Sequence, residues 1–279
     1  MYYYESLHNV KIPYMIYGTA WKKERTADLV EMAVLNGFRG IDTACQPKHY
    51  EEALVGVALS RLYAKGFKRE ELFVQTKFTP LGGQDPNRIP YHPNDSIEQQ
   101  IATSFEVSKA NLQTSYIDSF LLHSPLFPYS QLLKAWKSME ELHHEGGVKQ
   151  LGISNCYDLE LLKHLWEDAT LKPSVVQNRF YSETNYDKEL RAWCHSKGIL
   201  YQGFWTLTAN PHMLAHPLIQ TLAQHYHKTP AQLWYRYLTM THIIPLIGST
   251  SLEHLTEDVC IDDFSLTIDE IKRIATLLA

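Results

Sequence analysis

Four polar residues stand at the ends of apolar runs, where each is out of character. Asp42 closes the run 38–42, and Tyr50 lies in the loop that follows. Lys77 is next to last in 72–78, and His123 closes 117–123. A lysine inside such a run is rare unless it is paired. Taken singly, Lys77 reads as a solvated strand end, His123 as a hydrogen-bonded core residue and Asp42 as a cap or structural pair. At successive run ends they read together as a reaction centre. A phenol is a poor acid near neutral pH, with a reference pKa of ~10. A nearby ammonium lowers that value, and a carboxylate holds the ammonium in place. The expected product is a tuned general acid that protonates a carbonyl oxygen, with a histidine to orient it. No protein side chain delivers hydride, so a nicotinamide cofactor must supply it. No metal is expected: there is no H-E-x-x-H, and the adjacent His143 and His144 on a helix cannot face one ion together.

The elements that must position these residues alternate along the chain. Strands are expected at 14–19, 38–42, 72–78, 117–123, 148–154, 174–177, 199–205 and 243–247. Helices are expected at 26–35, 51–64, 96–112, 130–144, 158–168, 187–196, 217–238 (interrupted near Thr229-Pro230), 251–259 and 268–278. Stops such as Asn36-Gly37, Gly66, Gly146-Gly147 and Gly198 punctuate them. Eight strand–helix units of about 35 residues each predict an α/β fold, a (β/α)8 TIM barrel in one domain over 1–279. An open doubly wound sheet would want G-x-G-x-x-G in its first turn, and Gly18-Thr19-Ala20-Trp21 is not one. In a barrel, chemistry gathers at the C-terminal strand ends, where the four polar residues fall.

Composition narrows the class. A hydrophobic share of 44% with 20% charged residues is that of a globular protein, and the net charge of −5 with no basic block argues against a nucleic-acid partner. No apolar run reaches the ~18 residues of a membrane span, and the first residues lack a secretory pattern. Four cysteines without a C-x-x-C pair read as free thiols in a reducing compartment. A cytoplasmic monomer acting on a small carbonyl compound is therefore expected.

Further motifs stand in a fixed order: Gly18-Thr19-Ala20-Trp21; Gly37 through Ala44; Glu51 through Gly56; Leu72 through Lys77; Ile117-Asp118 through His123-Ser124-Pro125; Gly152-Ile153-Ser154-Asn155; and Gln177 before Asn178. As an ordered set they resemble the aldo-keto reductase family over nearly the whole chain, though each is weak alone. The resemblance implies reduction of aldehydes or ketones to alcohols. It implies that Ser154, Asn155 and Gln177 hold the nicotinamide carboxamide, that Phe204 stacks on the ring, and that Gly18, Thr19 and Leu207 also contact the cofactor. Many NADPH-using members carry Lys and Arg after the eighth strand. This chain offers Gly248, Ser249, Thr250 and His254 there. NADP(H) is favoured on resemblance, with NAD(H) the alternative. Glu257 and Asp258 resemble adenine contacts, or are exposed helix carboxylates. A long C-terminal loop that closes the pocket in many relatives is not expected here.

Some choices stay open at this level. Trp21, Tyr91, His92, Phe127 and Trp205 are candidate pocket walls, or packing residues. The Pro/Gly-rich insertion 79–95 is expected over the barrel mouth and to set selectivity. Counting back from Gly56, one gap placement puts His49 rather than Tyr50 at the acid position; a phenol beside Lys77 is the better proton source. A Schiff-base aldolase using Lys77 and a non-catalytic cofactor-binding redox sensor or partner module remain as alternatives.

Overall fold

The computed structural model describes residues 3–278; Met1, Tyr2 and Ala279, at the ends of the expected 1–279 domain, lie outside them. A hairpin opens the chain, β1 (Tyr3–Glu5) and β2 (Lys11–Pro13), paired antiparallel. Eight parallel strands follow and close on themselves: β3 (Ile16–Gly18), β4 (Gly40–Asp42), β5 (Phe73–Phe78), β6 (Ser119–Leu122), β7 (Leu151–Ser154), β8 (Val175–Arg179), β9 (Leu200–Phe204) and β10 (Ile243–Ile247). The seam joins β10 to β3, with Leu246 opposite Ile16. The (β/α)8 barrel expected from the alternation is the fold observed. The hairpin was not foreseen, because three-residue strands carry too little periodicity to read.

Around the barrel run α1 (Thr26–Leu35), α2 (Glu52–Ala64), α3 (Ile97–Leu112), α4 (Tyr129–His144), α5 (Leu159–Asp168), α6 (Lys188–Ser196), α7 (Pro211–Ala215), α8 (Pro217–His225), α9 (Pro230–Met240), α10 (Leu252–Asp258) and α11 (Ile268–Ala275). Their starts are capped as the sequence suggests. Ser96 accepts from the Gln99 backbone N–H while Gln99 reaches back, and the Asp158 carboxylate accepts from the Glu160 and Leu161 backbone N–H groups. The helix expected over 217–238 is two helices, because Thr229 caps α9 with Gln232 in a reciprocal box and Pro230 occupies its first turn. Among the described residues no helix is long and apolar enough to cross a membrane.

Strand alternation sorts the barrel interior into layers. Phe73, Gln75 and Lys77 share one face of β5; Val175, Gln177 and Arg179 share one face of β8; Leu200, Gln202 and Phe204 share one face of β9. The lower layer is apolar: Val10, Ile12, Ile16, Phe73, Leu121, Val175 and Ile244 form one buried cluster, so the opening hairpin seals the barrel floor. The upper layers are polar.

Candidate active site

The site starts with a buried polar floor. Lys77 and Asp42, on β5 and β4, are both withdrawn from solvent. The Lys77 Nζ donates to both Asp42 carboxylate oxygens at 2.7 Å and to the Thr43 carbonyl at 2.8 Å. Three acceptors match the three N–H bonds of an ammonium. Burial pushes the Lys77 pKa below its usual value, and the Asp42 carboxylate opposes that shift. Asp42 Oδ1 also accepts from Gln75 Nε2 at 2.8 Å and Gln177 Nε2 at 3.0 Å. Gln202 Oε1 accepts from the same two amides at 2.7 and 2.9 Å. Sequence reasoning missed Gln75 and Gln202. Their signal is a polar residue on the inward face, two positions before Lys77 and before Phe204.

Above this floor lie Tyr50 and His123. The Lys77 Nζ is 5.4 Å from the Tyr50 ring centroid, and the Tyr50 and His123 rings are 6.0 Å apart, edge to face. The Tyr50 hydroxyl has no hydrogen-bond partner among the described residues, and the residue lines the cavity. Its neighbour His49 also lines the cavity, with its ring tilted against Trp21 at 3.9 Å between centroids. Thr79 Oγ1 lies 2.6 Å from His123 Nδ1. Burial and the Lys77 ammonium hold the His123 pKa well below its ordinary value, so this imidazole is neutral at neutral pH. The expected lowering of the phenol is absent here. Burial, and then the Asp42 carboxylate, push the Tyr50 pKa up. Burial outweighs the nearby ammonium, whose field at the phenol is offset by the Asp42 carboxylate paired with it.

The loop carrying Tyr50 is held from beneath. Glu52, buried at the start of α2, accepts from Thr76 Oγ1, from Ser108 Oγ at 3.1 Å and from Asn111 Nδ2 at 3.0 Å. Burial raises the Glu52 pKa. A Cβ at Gly56 would lie 1.9 Å from the Asn111 carbonyl oxygen, so only glycine lets α2 approach α3 this closely. The insertion 79–95 folds onto the same loop: Gln46 Nε2 donates to the Gly83 carbonyl at 2.7 Å, and Gln84 Nε2 donates to the Cys45 carbonyl at 3.0 Å.

One cavity of about 1110 Å³ opens over these residues, just above the usual range of about 300–1,000 Å³ for small-molecule sites. Asp42, Tyr50 and His123 line it with Gly18, Ser154, Asn155, Gln177, Phe204, Leu207, Gly248, Ser249, His254, Glu257 and Asp258, and with Trp21 and Trp205. Burial and then Glu257 raise the Asp258 pKa to about 7. Besides Lys77 in the floor, five expected residues lie off its wall. Thr19 is buried, its hydroxyl donating to the Asp42 carbonyl at 2.9 Å, and Thr250 does not line the cavity. Tyr91 is a core residue: its hydroxyl donates to the Thr79 carbonyl at 2.8 Å and its ring packs 5.6 Å from Phe78. The His92 side chain is 67% exposed and lies 3.8 Å from Asp95, and Phe127 is 73% exposed. The insertion itself reaches the cavity only through Thr79 and Gly83.

Lys22 is the cation that the sequence does not show beside 248–258. It arrives across the barrel seam from the loop after β3 and donates to the Gly248 carbonyl. A Cβ at Gly248 would stand 3.3 Å from the Lys22 Nζ, so glycine leaves room for the ammonium. Burial, and then Arg25, push the Lys22 pKa down.

Residues 14–279 match the model of the aldo/keto reductase family. The chain belongs to it. The enzyme is 30% identical over 276 residues to an uncharacterized oxidoreductase of Bacillus subtilis, covering 98% of this chain and 91% of that protein. It is 28% identical to the glyoxal reductase of Bacillus subtilis, covering 97% of this chain and 91% of that one. Its fold overlays, with a TM-score of 0.84 and 26% identity, on an aldo-keto reductase from a Medee basin deep-sea metagenome library, covering 98% of this chain and 94% of that one. It is an oxidoreductase of the nicotinamide-dependent kind that acts on aldehydes and ketones.

Proposed function

We propose that Tyr50 is the general acid of this carbonyl reductase and that His123 orients the substrate. The observation that carries this reading is the unpartnered Tyr50 hydroxyl in the cavity beside His123, over the Lys77–Asp42 pair. A bound reduced nicotinamide supplies the hydride chemistry that no side chain can. The chain fits such a group: Ser154, Asn155 and Gln177 offer polar atoms on one cavity wall, and Phe204 offers a ring. Asn155 adopts left-handed backbone (φ 53°), with its Nδ2 donating to the His123 carbonyl at 2.8 Å, which ties the carboxamide-binding side to the histidine.

Tyr50 keeps its proton at neutral pH, because its folded pKa is raised. It gives that proton up when negative charge develops on a carbonyl oxygen within hydrogen-bond reach. The phenolate that results lies over the Lys77–Asp42 pair, with the ammonium 5.4 Å from its ring. A Thr79 hydroxyl donating to His123 Nδ1 leaves the Nε2–H to donate to the same carbonyl oxygen. The Schiff-base alternative for Lys77 has no support, since its Nζ is enclosed and triply bonded.

NADP(H) is the preferred cofactor in this reading, with Lys22, His254 and the hydroxyl of Ser249 on the cavity wall where an added phosphate needs cations and donors. Trp21 and Trp205 flank a small aldehyde or ketone, and the protein acts as a cytoplasmic monomer. The test is a calorimetric titration with NADPH and NADH, followed by turnover on a panel of aldehydes and ketones. Binding of NADPH with carbonyl-dependent oxidation, undiminished by a chelator, is expected. Tight dinucleotide binding with no turnover would favour a sensor.

A further inference from the structure

Arg179 is a cation that the reaction described above does not use. It ends β8, on the same strand face as Gln177 and one step nearer the barrel mouth, and its backbone lies opposite Phe204 on β9. It lines the cavity. Its guanidinium carbon sits 4.3 Å from the Trp205 ring centroid and 5.2 Å from that of Tyr181, so two aromatic rings fix its direction. Among the described residues no carboxylate is within ion-pair distance of it, and its Nε is buried without a hydrogen-bond partner. The cavity's own carboxylates are committed or differently placed: Asp42 is held by Lys77, and Glu257 and Asp258 belong to α10. A half-buried guanidinium held rigid, unpaired and open to a cavity is a receptor for an anion, since its planar fork matches two oxygens at once.

We infer that Arg179 binds an oxyanion lying beside the ring of Phe204, and that this contact selects ligands by charge. The inference rests on the reading of Phe204 as the nicotinamide platform. Two ligands present an oxyanion there: a phosphate of the dinucleotide, or a carboxylate carried by the carbonyl substrate.

The test compares wild type with Arg179→Gln and Arg179→Lys, with thermal unfolding to verify folding. Each is titrated calorimetrically with inorganic pyrophosphate and with NADPH. Turnover is then measured on 4-carboxybenzaldehyde and on uncharged benzaldehyde. Arg179→Gln should weaken pyrophosphate binding by about tenfold, the scale of one charge-assisted hydrogen bond, with partial recovery in Arg179→Lys. A similar loss for NADPH assigns the oxyanion to the dinucleotide. Unchanged NADPH affinity, with kcat/KM falling about tenfold for 4-carboxybenzaldehyde and holding for benzaldehyde, assigns it to the substrate. If pyrophosphate, NADPH and both aldehydes behave alike in Arg179→Gln and wild type, the inference is overturned. Failure of wild type to reduce either aldehyde counts against the proposed reaction instead, and the two titrations still decide for or against Arg179.

Discussion

The lower and upper halves of one barrel interior are built from the same strands and do different work. Below, Ile16, Phe73, Leu121, Val175 and Ile244 pack on the opening hairpin with no polar side chain among them. Two residues further along β5, β8 and β9 stand Gln75, Gln177 and Gln202, and further still Lys77, Arg179 and Phe204. An apolar layer is tolerant of exchange at equal volume. A buried polar layer is held by its hydrogen bonds, and each member left without a partner costs free energy. The lower half therefore sets stability, and the upper half accepts a costly buried ion pair to keep its geometry.

The largest expected effect comes from breaking the upper half at its centre. Lys77→Met leaves Asp42 buried without its counter-ion. Denaturant unfolding should show a loss of about 3–5 kcal/mol, and carbonyl reduction should fall by at least ~10²-fold. A stable, active variant would mean that the pair does neither job. Below, Ile244→Ala should cost about 2–5 kcal/mol in the same unfolding experiment, through lost burial and a cavity. Turnover per folded molecule should not change; a matching drop in kcat would erase the division between the halves.

Tyr50→Phe reverses that pattern. Its kcat should fall about a hundredfold, while the melting temperature and NADPH affinity stay near wild type. His49→Ala, whose ring sits against Trp21, should change kcat far less. The opposite ranking of the two variants would move the acid to His49. The smallest effect is a pH dependence. The folded His123 pKa is depressed, so the unfolded chain binds that proton first as pH falls through ~6.5. Stability is then full above that pH and is lost below it, by about 1.4 kcal/mol per pH unit at most. Asp258, raised to about 7, works in the opposite direction over the same range. The contribution is therefore read as the unfolding free energy of wild type minus that of His123→Gln between pH 7 and 5, a difference that should fall on acidification. A flat difference would remove the claim that the imidazole is held neutral.

The barrel was legible because each strand–helix unit carries its own periodicity and stops. Asp42, Lys77 and His123 were legible because each is a polar residue ending an apolar run. What escaped has a common cause: its meaning depends on residues far away in the chain. Gln202 reads as an ordinary strand residue until Gln75, 127 positions earlier, is found against it. Lys22 reads as surface charge until the seam brings Gly248 to it. Tyr91 and Phe127 were misplaced for the converse reason. An aromatic residue in a loop gives no sign of whether the loop turns it inward, as with Tyr91, or outward, as with Phe127. The tuning of Tyr50 failed because burial of the phenol, and then the Asp42 carboxylate, raise its pKa, and neither can be read from residue spacing.

The seam between β10 and β3 also has a meaning in time. Ile16 pairs with Leu246, so one edge of the growing sheet stays open until nearly the whole chain has been made. At a synthesis rate of about 5–20 residues per second, the unpaired N–H and C=O groups of β3 wait for roughly ten seconds or longer. An open edge is a template for pairing with another chain. The short three-residue length of β3 limits that template, and the preceding hairpin needs only its own neighbours to pair. The first barrel strand made is thus among the last to be completed, and its brevity protects the nascent chain while the reaction centre is still in pieces.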